Sequence, residues 1–175
     1  AMLPRPTPDD EAAAGAPSRV LFVCLGNICR SPAAEGVFLH LLAAEGLQEA
    51  FAVDSAGTGG WHVGRAADPR MREAAARRGI HLPSRARQLE PADLLHFDHI
   101  LTMDADNLAA VRRLQGRGGA RASIRPLVEH CRQHRVSEVP DPYYGGAEGF
   151  ERVLDLLEDA CAGLLRDLRA EAARG

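Results

Sequence analysis

A short apolar run, Arg19 to Val23, leads straight into Cys24-Leu25-Gly26-Asn27-Ile28-Cys29-Arg30, and Ser31-Pro32 follows at once. Downstream, Val37, Phe38, Leu41 and Leu42 recur at helical spacing as far as Gly46. This junction predicts a strand, a tight loop and a helix in immediate succession. Ser31 suits the N-cap, and Pro32 suits the first helical position, where its missing N–H removes no hydrogen bond.

The pattern repeats. Phe51 to Ser55 reads as a second strand, and Ala56 to Gly64 reads as a Gly-rich loop carrying the single Trp, Trp61. A helix is expected from Asp68-Pro69 to Gly79, a strand over His99 to Met103, a helix over Asp106 to Leu114 and a weak strand over Ser123 to Leu127. Phe150 to Leu168 carries the strongest helical stripe, formed by Val153, Leu154, Leu157, Cys161, Leu164, Leu165 and Leu168. Strands alternating with helices predict an α/β fold: a single domain with a parallel sheet flanked by helices on both faces and joined by right-handed crossovers. Ligands of such sheets bind beyond the carboxyl ends of the strands, which is where residues 24–30 fall. The expected organisation is a flexible leader at 1–18, a domain at 19–170 and a flexible end at 171–175.

Cys24 and Arg30 are spaced so that the segment between them can wrap one tetrahedral anion. The spacing alone is weak evidence: with 4 Cys and 21 basic residues in 175, all of the latter Arg, such a pair arises by chance about half a time per chain. Context strengthens it. A loop entering a helix start turns several backbone N–H groups inward and adds the positive end of the helix dipole, making a nest for a dianion from residues 25–31. Gly26 and Asn27 tolerate the left-handed backbone this requires. The same field favours the thiolate of Cys24, Ser31 can donate to its sulfur, and the Arg30 guanidinium can grip two phosphate oxygens as a fork.

Thiolate attack on phosphorus expels an alkoxide or phenoxide, which leaves more readily when an acid protonates it. Asp141 stands between Pro140 and Pro142, so its backbone is stiff and its side chain is aimed. A bound dianion disfavours its ionised form, so one residue can give a proton and later take one from water. Trp61, Tyr143 and Tyr144 are loop aromatics suited to walling a slot deep enough for a phenyl phosphate.

The bulk properties bound the alternatives. A net charge of −3 offers no general attraction for nucleic acid or anionic lipid, and no apolar run approaches the roughly 20 residues of a bilayer span. Four irregularly spaced Cys make no disulfide framework and suit a reducing, cytoplasmic location. Without the loop, Cys24 would read as a core thiol and Asp141 as a turn cap. A zinc site from Cys24, Cys29, His130, Cys131 and His134 fits poorly, because Arg30 and a helix N-terminus repel a cation. No metal or cofactor is expected. Two further readings stay open: thiol-linked arsenate reduction, which needs more redox Cys beside the site, and a phosphocarrier that holds phosphate on Cys and needs no acid.

Several blocks in order resemble the low-molecular-weight protein tyrosine phosphatases: Val23 to Glu35, Ser55-Ala56-Gly57-Thr58, Trp61-His62-Val63-Gly64-Arg65, Asp68-Pro69-Arg70, Met103-Asp104 and Asp141-Pro142-Tyr143-Tyr144-Gly145. The resemblance spans residues 19–168. It implies a four-stranded parallel sheet, phosphotyrosine proteins or peptides as substrates, phosphate-like anions as inhibitors, a monomer, and catalysis by Cys24, Arg30 and Asp141. It also implies that Asn27, Ser31 and Ser55 support the loop, and that Cys29 can form a reversible disulfide with Cys24. One departure stands out, in that Ser84 occupies the place where the family usually buries a His. Ile28 leans towards tyrosine, since similar proteins acting on phosphoarginine tend to carry Thr there.

Overall fold

The computed structural model describes residues 15–116 and 118–174. Four strands alternate with helices: β1 (Ser18–Cys24), α1 (Arg30–Ala44), β2 (Phe51–Gly57), α2 (Pro69–Ala76), α3 (Asp93–His96), β3 (His99–Thr102), α4 (Ala105–Gln115), β4 (Ser123–Pro126) and α5 (Ala147–Arg174). They form one parallel sheet in the order β2-β1-β3-β4, with β1 central and Cys24 paired with Gly57 at its carboxyl end.

Alternation along β1 builds both faces. Val20, Phe22 and Cys24 join the larger core, which α1, α2 and α5 cover, while Leu21 and Val23 join a smaller core under α3 and α4. Phe38 of α1 meets Phe22 and Phe51 edge-on, with ring centres 5.7 and 5.6 Å apart, so the helix that leaves the loop is anchored over the strand that enters it. That anchorage fixes the loop at both ends. Among the described residues, no helix is long and apolar enough to cross a membrane.

Several expectations are corrected. The α1 N-cap is Cys29, not Ser31, and it makes no side-chain cap; the Ser31 hydroxyl instead faces Cys24 and Asn27. Asp68 does cap α2, accepting from the Arg70 N–H at 2.8 Å. The helix α5 continues through Arg174, so residues 171–174 are helical where a loose end was expected. Residues 1–14 of the expected leader lie outside the described residues, and Ser18, placed in it, begins β1.

Candidate active site

The chain leaves β1 at Cys24 and turns at Asn27, whose φ of 57° makes it the one non-glycine residue with positive φ among those described. Its side chain explains why Asn sits there. The Oδ1 accepts from the Arg87 backbone N–H at 3.0 Å, and the Nδ2 group donates to Ser31 Oγ at 2.8 Å and to Ser55 Oγ at 2.9 Å. The left-handed turn is thus locked to α1, to β2 and to the segment before α3. From behind, Thr58 and Gly59 donate their N–H groups to the carbonyls of Cys24 and Leu25, both at 2.9 Å. Gly57 permits this approach, for a Cβ there would lie 2.8 Å from the Leu25 carbonyl oxygen.

These contacts use the loop's carbonyls and side chains and leave its amides. Among the described residues, no protein acceptor pairs with the backbone N–H groups of residues 25–29, and α1 has no acidic residue in its first turn. A row of unspent donors at an uncapped helix start is a site for an anion.

At its centre Cys24 is buried, and its Sγ lies 2.9 Å from Ser31 Oγ. Arg30 is only 3% exposed, and its Nη1 donates to Asp104 Oδ2 at 2.6 Å and to the Val139 carbonyl at 3.1 Å. Those bonds orient the guanidinium and leave its Nε and Nη2 edge for a ligand. Burial works against the Arg30 charge, but the Cys24 sulfur and the Asp104 carboxylate outweigh it and hold the group above its ordinary value. Across the cleft, Asp141 Oδ2 stands 3.7 Å from Arg30 Nη2, while its Oδ1 accepts from the Tyr143 N–H at 3.0 Å. Asp141 therefore both caps its turn and faces the anion site.

Cys24, Leu25, Gly26, Ile28, Cys29, Arg30, Trp61, His62, Asp141, Tyr143 and Tyr144 line one cavity of about 400 Å³. Burial, then the nearby Asp68 carboxylate, pushes the Cys29 thiol up to about 12, so Cys24 and not Cys29 is the thiol poised for phosphorus. Arg70 fastens the aromatic wall. Its guanidinium lies 5.4 Å from the Tyr143 ring centre and 4.7 Å from that of Phe150, and it donates to the Tyr143 carbonyl at 3.1 Å.

The structure brings the expected nucleophile, cation, acid and three aromatics together in one cleft. The zinc ligands weighed with Cys24 and Cys29 go elsewhere, with His130 on Asp167 at 2.7 Å and His134 on Asp159 at 2.8 Å. Asp104, His62, Arg70 and Glu35 stand in the blocks that carry the family resemblance, but the sequence assigns them no role at the site. The capping box of Asp104 with Asn107 was readable in Asp104-Ala105-Asp106-Asn107, though nothing local signals its bond to Arg30.

Comparison with known proteins agrees with this geometry. Residues 19–174 match the family model described as low molecular weight phosphotyrosine protein phosphatase. A low molecular weight protein-tyrosine-phosphatase of Bacillus subtilis is 42% identical, over 87% of this chain and 96% of its own length. One from Schizosaccharomyces pombe is 42% identical, over 86% of this chain and 96% of its own length. Among solved structures, a protein tyrosine phosphatase from Entamoeba histolytica, with Hepes in its active site, superposes with a TM-score of 0.85. It is 42% identical, and the match covers 89% of this chain and 99% of that one.

Proposed function

This chain belongs to the low molecular weight protein tyrosine phosphatases, and on that premise we propose that it hydrolyses phosphotyrosine in proteins or peptides by the following division of labour. Cys24 Sγ attacks phosphorus, forming an S–P bond as the P–O bond to the tyrosine oxygen breaks. The amides of residues 25–31 and the free edge of Arg30 hold the equatorial oxygens, where charge accumulates. Asp141 gives its proton to the departing phenolate oxygen, then accepts one from the water that cleaves the phosphocysteine.

The Arg30–Asp141 separation of 3.7 Å gives this sequence its logic. A dianion seated on Arg30 takes up the positive charge that Asp141 faces and adds negative charge beside it, which favours the acid form when a leaving group needs a proton. The observation that supports the reading most is the convergence of Cys24, Arg30 and Asp141 on one 400 Å³ cleft walled by Trp61, Tyr143 and Tyr144. A slot walled by these three aromatics suits a phenyl phosphate better than a shorter phosphoserine, and the family resemblance makes Ile28 a lean towards tyrosine over phosphoarginine.

Asn27, Ser31 and Ser55 keep the loop in its receptive shape. Peroxide would convert the Cys24 thiolate to a sulfenic acid, and the Cys29 thiol would displace water from it to give a reducible disulfide. The four thiols, all free, suit a reducing cytoplasm, and the chain acts as a monomer in this reading. Phosphate-like anions would compete for the same amides. The arsenate-reductase reading loses ground because Cys131 and Cys161 do not line the cleft.

The test is a hydrolysis panel of phosphotyrosine, phosphoserine and phosphoarginine peptides against the wild type and Cys24→Ser. Hydrolysis of phosphotyrosine by the wild type alone is expected. Turnover by Cys24→Ser, or a preference for another phosphopeptide, would overturn the reading.

A further inference from the structure

We propose that Glu35 is a positioning residue for Cys24, acting through Ser55, Asn27 and Ser31 while its carboxyl is neutral and opposing the thiolate once it ionises. This rests on Cys24 being the nucleophile. The argument begins with hydrogens. The Arg87 N–H on Oδ1 fixes which end of the Asn27 amide is which, so both Nδ2 hydrogens are spent on Ser31 Oγ and Ser55 Oγ. Each hydroxyl keeps one hydrogen of its own. Ser31 has Cys24 Sγ at 2.9 Å, and Ser55 has Glu35 Oε1 at 2.6 Å. Glu35 therefore terminates the chain whose other end is the sulfur, and its Oε1 must accept whatever the charge of the carboxyl.

The surroundings decide that charge. Glu35 is 6% exposed and forms no ion pair among the described residues. The charged groups facing it are Asp54 on β2, which repels a carboxylate, and Arg87, whose guanidinium is already divided between Asp54 at 3.0 Å and Asp93 at 3.0 Å. Burial raises the Glu35 carboxyl above the ordinary glutamate value, and the Ser55 and Ser84 hydroxyls only partly oppose this. Ionisation would put a second negative charge into the buried network that carries the thiolate, and each charge would disfavour the other. Stability follows the same sign: folded Glu35 holds its proton more tightly than unfolded Glu35, so its favourable contribution is complete below the ordinary glutamate range and is lost as pH rises through the raised folded value.

Alkylation of Cys24 by iodoacetamide, followed across pH by mass spectrometry of the Cys24 peptide, tests this without any need for turnover. The wild type should give a profile with a second step of about fivefold as Glu35 ionises. In Glu35→Gln, which keeps an acceptor at Oε1 and a donor in place of the acid proton, the second step should vanish, as should the matching pH dependence of thermal stability. Glu35→Ala should slow alkylation throughout. Superimposable wild-type and Gln profiles, or a Gln variant as impaired as Ala at every pH, would overturn the proposal. Failure of the wild type to hydrolyse phosphotyrosine with the second step intact would sink the functional reading and leave this one standing.

Discussion

The loop of residues 24–31 and the loop of residues 140–146 face each other across one cleft, yet they are held in opposite ways. In the first, Cys24, Asn27, Arg30 and Ser31 are all buried, and every polar side chain has a partner fixed by a strand or a helix. In the second, the Asp141 side chain is 39% exposed and Tyr144 is 93% exposed, and the loop is held by an Asx-type turn, a bond from the Gly145 N–H to the Pro142 carbonyl at 3.0 Å and the Arg70 clamp. Preorganisation is concentrated where negative charge develops on phosphorus, since donors that need not reorient stabilise a transition state most. The proton donor has a lesser demand, to reach one oxygen after the substrate has entered past it.

The contrast can be broken in order of expected effect. Cys24→Ser should lower kcat by on the order of 10⁴ or more, because no other nucleophile is aimed at the site; stopped-time hydrolysis of a phosphotyrosine peptide measures it. Arg30→Lys should follow with a loss of roughly 10³, since a point charge cannot reproduce the fork, and KM should rise with it. Asp141→Ala should cost about 10² to 10³ in kcat while vanadate still binds, a separation that calorimetry can check. If vanadate affinity fell as far as in Arg30→Lys, the two loops would not be independent.

Smaller effects probe the supports. Ser55→Ala leaves a buried Asn27 hydrogen and Glu35 Oε1 without their partner, and should destabilise the fold by about 1–3 kcal/mol in urea unfolding. Arg70→Ala, on the exposed side, should leave the urea midpoint nearly unchanged and lower kcat/KM by a few-fold through a looser Tyr143. A reversal of that order would mean the aromatic wall, not the phosphate loop, is the rigid half.

The same contrast governs what the sequence disclosed. Cys24 and Arg30 lie within one short segment and Asp141 sits between two prolines, so local chemistry marked them. Long-range polar pairings left no such mark. Nothing near Arg30 announces Asp104, and Glu35 looks like an ordinary residue of the first turns of α1 until β2 places Ser55 against it. The sequence offers Ser31 both as a cap, the default role of a hydroxyl before a proline at a helix start, and as a partner of the Cys24 sulfur, and the structure realises the second together with a bond from Asn27. The four-residue α3 and the single turn at Leu127–His130 are too short to express a helical period. Ser84, the departure from the family pattern, gains its meaning only from its place beside the Glu35 carboxyl.

The central claim is that the phosphoryl group passes through the Cys24 sulfur, and the direct test is rapid acid quench of Asp141→Ala with a peptide of phosphorylated fluorotyrosine, whose phenolate leaves without an acid, followed by mass spectrometry of the proteolysed chain. The account predicts phosphate on the Cys24 peptide, building up within the first turnover and absent from the Cys24→Ser chain. Phosphate on any other residue, or release of the fluorotyrosine peptide with no phosphorylated enzyme at the shortest times, would contradict it.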